Sequence, residues 1–202
     1  MKLKLSTLPA YLKLDRVVLA DKLDKPAAWI PELPKNKEEF EARKAGGEKF
    51  DRVPSSLVPL CERMVKAAAE HDGVGIAANQ IGINRRMCVI KEPGVTDEFR
   101  VFFHPSYTVD GESKLELRPE GCLSVPRYQM QVPRQTIILA EWFEFDSDTG
   151  KLVSMRELFG GDLARIYQHE VDHLLGRSIL DYAPRDIRRN KTAFIKKLVS
   201  LR

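Results

Sequence analysis

The segment Gln168-His169-Glu170-Val171-Asp172-His173-Leu174-Leu175-Gly176 sets two imidazoles four residues apart, with a glutamate directly after the first. It closes a strongly helical run, residues 162–175, and Gly176 is a good C-terminal cap. At 3.6 residues per turn this spacing puts both rings on one helix face, about one turn apart, where they can grip one cation. Glu170 then lies beside the metal rather than bound to it, placed to take a proton from activated water. The bland alternative is a surface helix with two stray histidines. A chain with only four histidines favours the metal site.

Outward from this helix, a second one is predicted after Pro54, with Ser55 or Ser56 as cap and Pro59 in the first turn. Leu57, Leu60, Cys61, Met64, Val65 and Ala68 form one apolar stripe, and the helix stops near Gly73. The middle reads as β. Residues 87–90, 101–103, 107–109 and 136–145 are rich in β-branched and aromatic side chains, with turns at Gly111 and Asp148-Thr149-Gly150. Residues 185–201 read as a terminal helix. Helix, sheet and helix in that order predict an α+β fold.

Residues 1–182 are expected to form a single catalytic domain, with residues 1–54 as an irregular leader. Within that leader, 11 of the 18 residues from 35 to 52 are charged, around Gly46-Gly47, and read as a solvated insertion. Residues 183–202 form a basic tail of charge +6, so the remaining 182 residues sum to −2 out of a total of +4. The body is not a polycation, which argues against specific DNA binding. Apolar runs such as Ile137-Ile138-Leu139-Ala140 are too short to span a membrane. Lys13, Asp15 and Arg16 interrupt any secretory hydrophobic region, and a cytoplasmic location is expected. Three cysteines without a CxxC pair exclude both a closed disulfide framework and a zinc ribbon.

The third metal ligand lies elsewhere in the chain. An HExxHxxGxxH pattern needs a histidine at 179, where Ile179 stands, and no glutamate follows His173. The upstream candidates are Cys122, Cys88, Cys61, His104 and His71, of which Cys122 ranks first. It follows Gly121, which permits close backbone approach, whereas Cys88 and Cys61 fall on apolar, core-like positions. A rival third ligand is Asp181, which would make the chain another HExxH metallohydrolase such as a peptidase. A further constellation, Gly73-Val74-Gly75-Ile76-Ala77-Ala78-Asn79-Gln80, combines small residues with an amide donor.

Taken together, Gly73–Gln80 matches GxGxAAxQ, Glu120–Ser124 matches EGCLS and Gln168–Gly176 matches QHExDHLxG. Complete and in this order, the three motifs resemble the peptide deformylases over residues 55–182. The resemblance implies small mixed or antiparallel sheets packed around a central metal-binding helix. It implies removal of the formyl group from formyl-methionyl nascent peptides. It also implies Cys122, His169 and His173 as ligands, Glu170 as general base and then acid, and Gln80 with the Leu123 backbone N–H as oxyanion donors. Gly75, Val74 and Gly121 would line the peptide site, the peptide adding as a strand. One divalent cation is implied, Fe2+ in cells, with Zn2+, Ni2+ or Co2+ able to take the same S/N/N set.

Three departures stand out. His104-Pro105 replaces the family's frequent Asn-Pro. Arg118 and Arg165 fall where many members carry an apolar wall for the methionine side chain. The segment 127–131 has no clear match to a substrate-contacting arginine. The basic tail reads either as a solvated amphipathic helix or as a ribosome contact, as in some bacterial relatives. A deformylase-like fold that binds N-termini without turnover is the non-enzymatic alternative, opposed by the intact Glu170, Gln80 and Cys122.

Overall fold

The computed structural model describes residues 1–4, 19, 22–23, 25–31, 33–50, 55, 57–91, 93–94, 97–146 and 148–200. Eight strands and five helices are described: β1 Lys2–Lys4, α1 Lys37–Ala45, α2 Val58–Glu70, β2 Gly75–Ala77, β3 Met87–Lys91, β4 Glu98–Val109, β5 Leu115–Cys122, β6 Val125–Gln135, β7 Ile137–Asp146, β8 Lys151–Gly160, α3 Gly161–Leu174, α4 Arg185–Arg189 and α5 Lys191–Ser200. One antiparallel sheet runs β2-β3-β4-β7-β8, with β1 also on β4, and a separate hairpin pairs β5 with β6. The fold is α+β.

Helix α3 lies between the two sheets. Its buried residues, from Ala164 to Leu174, cover most of its circumference, as expected for a helix enclosed on opposite sides. One face joins Phe102, Trp142, Phe159 and Ala140 of the large sheet through Tyr167 and Val171. The other faces the hairpin. Helix α2 packs its predicted stripe on the opposite side of the large sheet, with Leu57, Leu60, Cys61, Met64, Val65 and Ala68 all buried. Its cap differs from expectation: Leu57 is the N-cap, without a side-chain bond, and Ser56 falls outside the described residues.

Several expectations need correction. The charged segment predicted over 35–52 is, in its described residues 35–50, not simply a solvated insertion. Asn36 caps α1, accepting the Glu39 N–H at 2.8 Å, and Phe40 is buried against Phe50 and Phe143. One buried aromatic residue suffices to dock an otherwise polar helix. Strand β4 is continuous through 101–109, because Pro105 falls within a register shift between Phe103 and Ser106, where its missing N–H breaks no ladder bond. Strands β1, β2, β5, β6 and β8 lie outside the predicted β segments. The predicted terminal helix breaks at Asn190 into α4 and α5.

The bulge also explains His104. Its φ of 49° is left-handed, a region that His and Asn enter more readily than most residues. The ring is buried, accepting the Ile30 N–H at Nε2 (2.9 Å) and donating from Nδ1 to the Pro34 carbonyl (2.7 Å). It therefore anchors the chain near residues 30–34 and does not reach the metal helix. Burial holds its pKa down to about 4, below the ordinary 6.5. The neutral ring contributes stability that is complete above pH 6.5 and lost as the pH falls through 4, about 3 kcal/mol in all. With His104→Asn, unfolding between pH 6.5 and 4 should take up about one proton fewer. Urea titrations at several pH values read this out, and equal pH slopes for the two proteins would contradict it.

Candidate metal centre

Cys122, His169 and His173 converge: one ligand atom from each lies within 4.8 Å of the others. The Cys122 Sγ is 3.3 Å from His173 Nε2, and the two histidine Nε2 atoms are 3.1 Å apart. Their helical spacing sets the histidines on one face, as read from the sequence. The sulfur comes from the hairpin, where the β5–β6 register shifts between Gly121 and Cys122. A Cβ at Gly121 would meet Gln129 Cγ at 3.8 Å, an ordinary contact, so close backbone approach is not what that glycine provides. The shift in register turns the thiol out of the pleat instead.

Each ring is oriented by its other nitrogen. His169 Nδ1 contacts the Glu120 carboxylate at 3.0 Å, and His173 Nδ1 contacts the Arg177 carbonyl at 2.9 Å. The second contact depends on Gly176, whose φ of 77° turns the chain back over the helix end. With both Nδ1 atoms engaged by acceptors, both Nε2 lone pairs point inward. Burial opposes charge on Cys122, yet the neighbouring His173 and His169 outweigh it and bring the thiol down to about 5. A thiolate and two inward imidazoles fit a tetrahedral or open-sided divalent cation.

Glu120 is itself clamped. Arg134 donates to both its oxygens at 3.0 Å, and Arg165 Nη1 donates to Oε1 at 2.7 Å. Burial pushes this carboxyl up, but the bonds from His169 and Arg134 hold it at about 2. Arg134 also reaches Asp172, which accepts from the Tyr182 hydroxyl at 2.7 Å. The roles of Glu120, Arg134 and Asp172 were missed in the sequence, although Glu120 and Asp172 stand inside the quoted motifs. Arg118 turns outward to Asp162 at 2.9 Å. Arg165 lines the cleft with its charge already paired to Glu120.

Glu170 is buried on the same helix, with Oε2 free of any hydrogen bond, and burial raises its pKa to about 7. A Cβ at Gly75 would stand 2.7 Å from Glu170 Oε1, so the absence of a side chain there makes room for this carboxylate. Gln80 is held by the Ala77 N–H on its Oε1 at 2.8 Å, leaving Nε2 directed at Ser124 Oγ (3.1 Å) and Cys122 Sγ (3.9 Å). These groups open on a cleft of about 960 Å³ lined also by Val74, Gly75, Gly121 and Leu123. The other candidate ligands stand apart. Cys61 and Cys88 are core residues, and His71 lies on the cleft lining. Asp181 is engaged by Lys191 and the Ser178 N–H.

A cysteine and an HExxH pair meeting at an open cleft, with a buried unpaired glutamate alongside, define a metallohydrolase. A polypeptide deformylase family model matches residues 36–189, and the chain belongs to that family. Its members are metal-dependent enzymes that remove N-formyl groups from polypeptides. The chain is 35% identical over 186 residues to peptide deformylase 1 of Streptomyces coelicolor, covering 84% of this chain and 81% of that protein. It is 33% identical over 130 residues to a peptide deformylase of Rhodopirellula baltica, covering 64% of this chain and 62% of that protein. The crystal structure of a peptide deformylase from Legionella pneumophila superposes with a TM-score of 0.69 at 26% identity, covering 94% of this chain and 97% of that one. No described helix is long and apolar enough to cross a membrane.

Glu120→Gln keeps the shape but weakens the hold on the His169 Nδ1–H. It should lower metal affinity about 10- to 100-fold, the usual effect of losing such a partner. Competition with a chromophoric chelator measures this, and unchanged affinity would show that Glu120 does not orient the ligand.

Proposed function

We propose that Glu170, Gln80 and Leu123 carry out hydrolysis of the N-terminal formamide of formyl-methionyl nascent peptides, beside a divalent cation held by Cys122, His169 and His173. The observation that carries this reading is the joint convergence of the sulfur and two Nε2 atoms with the Glu170 carboxylate seated against Gly75. The cation, when bound, supplies Lewis acidity toward water and the formyl oxygen. Glu170 takes a proton from the attacking water and returns it to the amine nitrogen as the C–N bond breaks, releasing formate and a free N-terminus. Its buried position, with a pKa near 7, suits both halves of that exchange. Gln80 Nε2 and the Leu123 backbone N–H hold the oxygen on which charge develops, and one such donor is typically worth about 3–4 kcal/mol.

The peptide adds as a strand along β2, the edge of the large sheet, past Val74 and Gly75, with Gly121 across the cleft. In cells Fe2+ fills the site, while Zn2+, Ni2+ or Co2+ also suit the donor set. Residues 1–182 act as the catalytic domain and 183–202 as a basic extension, and the enzyme works in the cytoplasm. Arg185, Arg188, Arg189, Lys196 and Lys197 are exposed, which supports a weak, salt-sensitive contact with the ribosome.

Formyl-Met-Ala-Ser should be deformylated by anaerobically purified protein containing about one metal ion. Glu170→Ala should retain the metal and lose at least ~10² in rate. A metal-replete variant with near-native turnover would remove Glu170 from the mechanism. Replacing Arg188, Arg189, Lys196 and Lys197 by alanine should reduce ribosome co-sedimentation at low salt, and unchanged co-sedimentation would dispose of that contact.

A further inference from the structure

We propose that α5 braces one wall of the substrate cleft, and that Phe194 is a positioning residue acting on bound peptide through Tyr128. The inference rests on the cleft being the peptide site. Val125, Pro126, Arg127, Tyr128 and Gln129, which follow the ligand Cys122, form that wall. Its backbone is strained: Arg127 has φ of 60°, a left-handed conformation that crowds a residue bearing a Cβ. Such a conformation persists only where the surroundings determine it.

The surroundings here are the C-terminal helix. The Tyr128 ring meets Phe194 edge-on, with centroids 5.0 Å apart and planes at 79°. Val125, at 1% exposure, packs in one cluster with Ile179, Leu180 and Ile195, the last also 1% exposed. The foot of the brace is fixed as well. Lys191, the first residue of α5, reaches both carboxylate oxygens of Asp181 at 2.7 Å, and Asp181 accepts the N–H of Ser178, the N-cap of the turn Ile179–Tyr182. A helix of 10 residues is marginal alone, so the order of α5 and the order of the wall depend on each other.

Cys122 packs at the edge of this same cluster, while the other reacting groups are held by other means: Glu120 with its two arginines, Gly75 against Glu170, and Gly176 beneath His173. Loosening α5 therefore alters how the peptide is held and leaves the chemistry in place. The wall and the metal centre are separable by kinetics.

The test is a double-mutant cycle on the metal-loaded full chain with formyl-Met-Ala-Ser. Phe194→Ala should raise KM about three- to tenfold, the scale of one aromatic pair, with kcat within about twofold. Metal content should be unchanged. Phe194→Tyr should restore KM, and adding Phe194→Ala to Tyr128→Ala should have no further effect. An unchanged KM, additive effects in the cycle, or a fall in kcat at constant KM would overturn the proposal. If Phe194→Ala fails to fold, Phe194→Leu keeps most of the volume without the ring and should shift KM in the same direction. In the metal-retaining Glu170→Ala background, where turnover is slowed at least ~10², calorimetric binding of the same peptide must weaken by the same factor. Because that readout needs no turnover, a wild-type chain without deformylase activity would defeat the assigned chemistry while the brace is still judged from binding.

Discussion

A single buried carboxylate ties the structure to its chemistry. Glu120 lies on the hairpin, yet it is held by Arg134 of the same hairpin, by Arg165 of the central helix and by the ring of His169. Its charge survives burial only because two guanidiniums face it. Removing either would leave an imperfectly compensated charge in the interior, which typically costs about 3–5 kcal/mol. The same network continues through Asp172 to Tyr182, so α3 is gripped along its length. Because the sulfur ligand rides on the hairpin and the imidazoles ride on the helix, this grip keeps the three donors in register.

Small local features complete the site. Gly75 leaves the space that the Glu170 carboxylate occupies, and Gly176 swings a carbonyl back to His173. Neither glycine needs to touch a substrate to matter to the reaction. The arginines that depart from the family pattern are absorbed in the same way. Arg118 points away to Asp162, and Arg165 has become part of the Glu120 clamp, so neither brings an unpaired charge to the cleft. His104 occupies a left-handed bulge position that histidine and asparagine both adopt readily.

Much of the scaffold was legible where a local period carries the signal. The α2 stripe, the span of α3, β3 and β7 all lie within a residue or two of their predicted bounds. The hairpin β5–β6 was not, because Leu115 and Leu117 are exposed while Glu120 and Arg134 are buried, inverting the usual alternation. Helix α1 was hidden by its charge: only Phe40 of its nine residues is buried.

The sequence by itself determined the helix that presents two imidazoles and a glutamate on one turn, since a spacing of four on a 3.6-residue period is a local geometric fact. It also ranked Cys122 first among five upstream candidates for the third ligand, and the family motifs implied the same residue. Only the tertiary structure decided that Cys122 reaches the rings, that Glu120 is their orienting partner, and that the C-terminal helix stands behind the cleft. Those contacts join residues about 40 to 70 positions apart in the chain, and no local periodicity encodes them; packing two sheets around one buried helix brings them together.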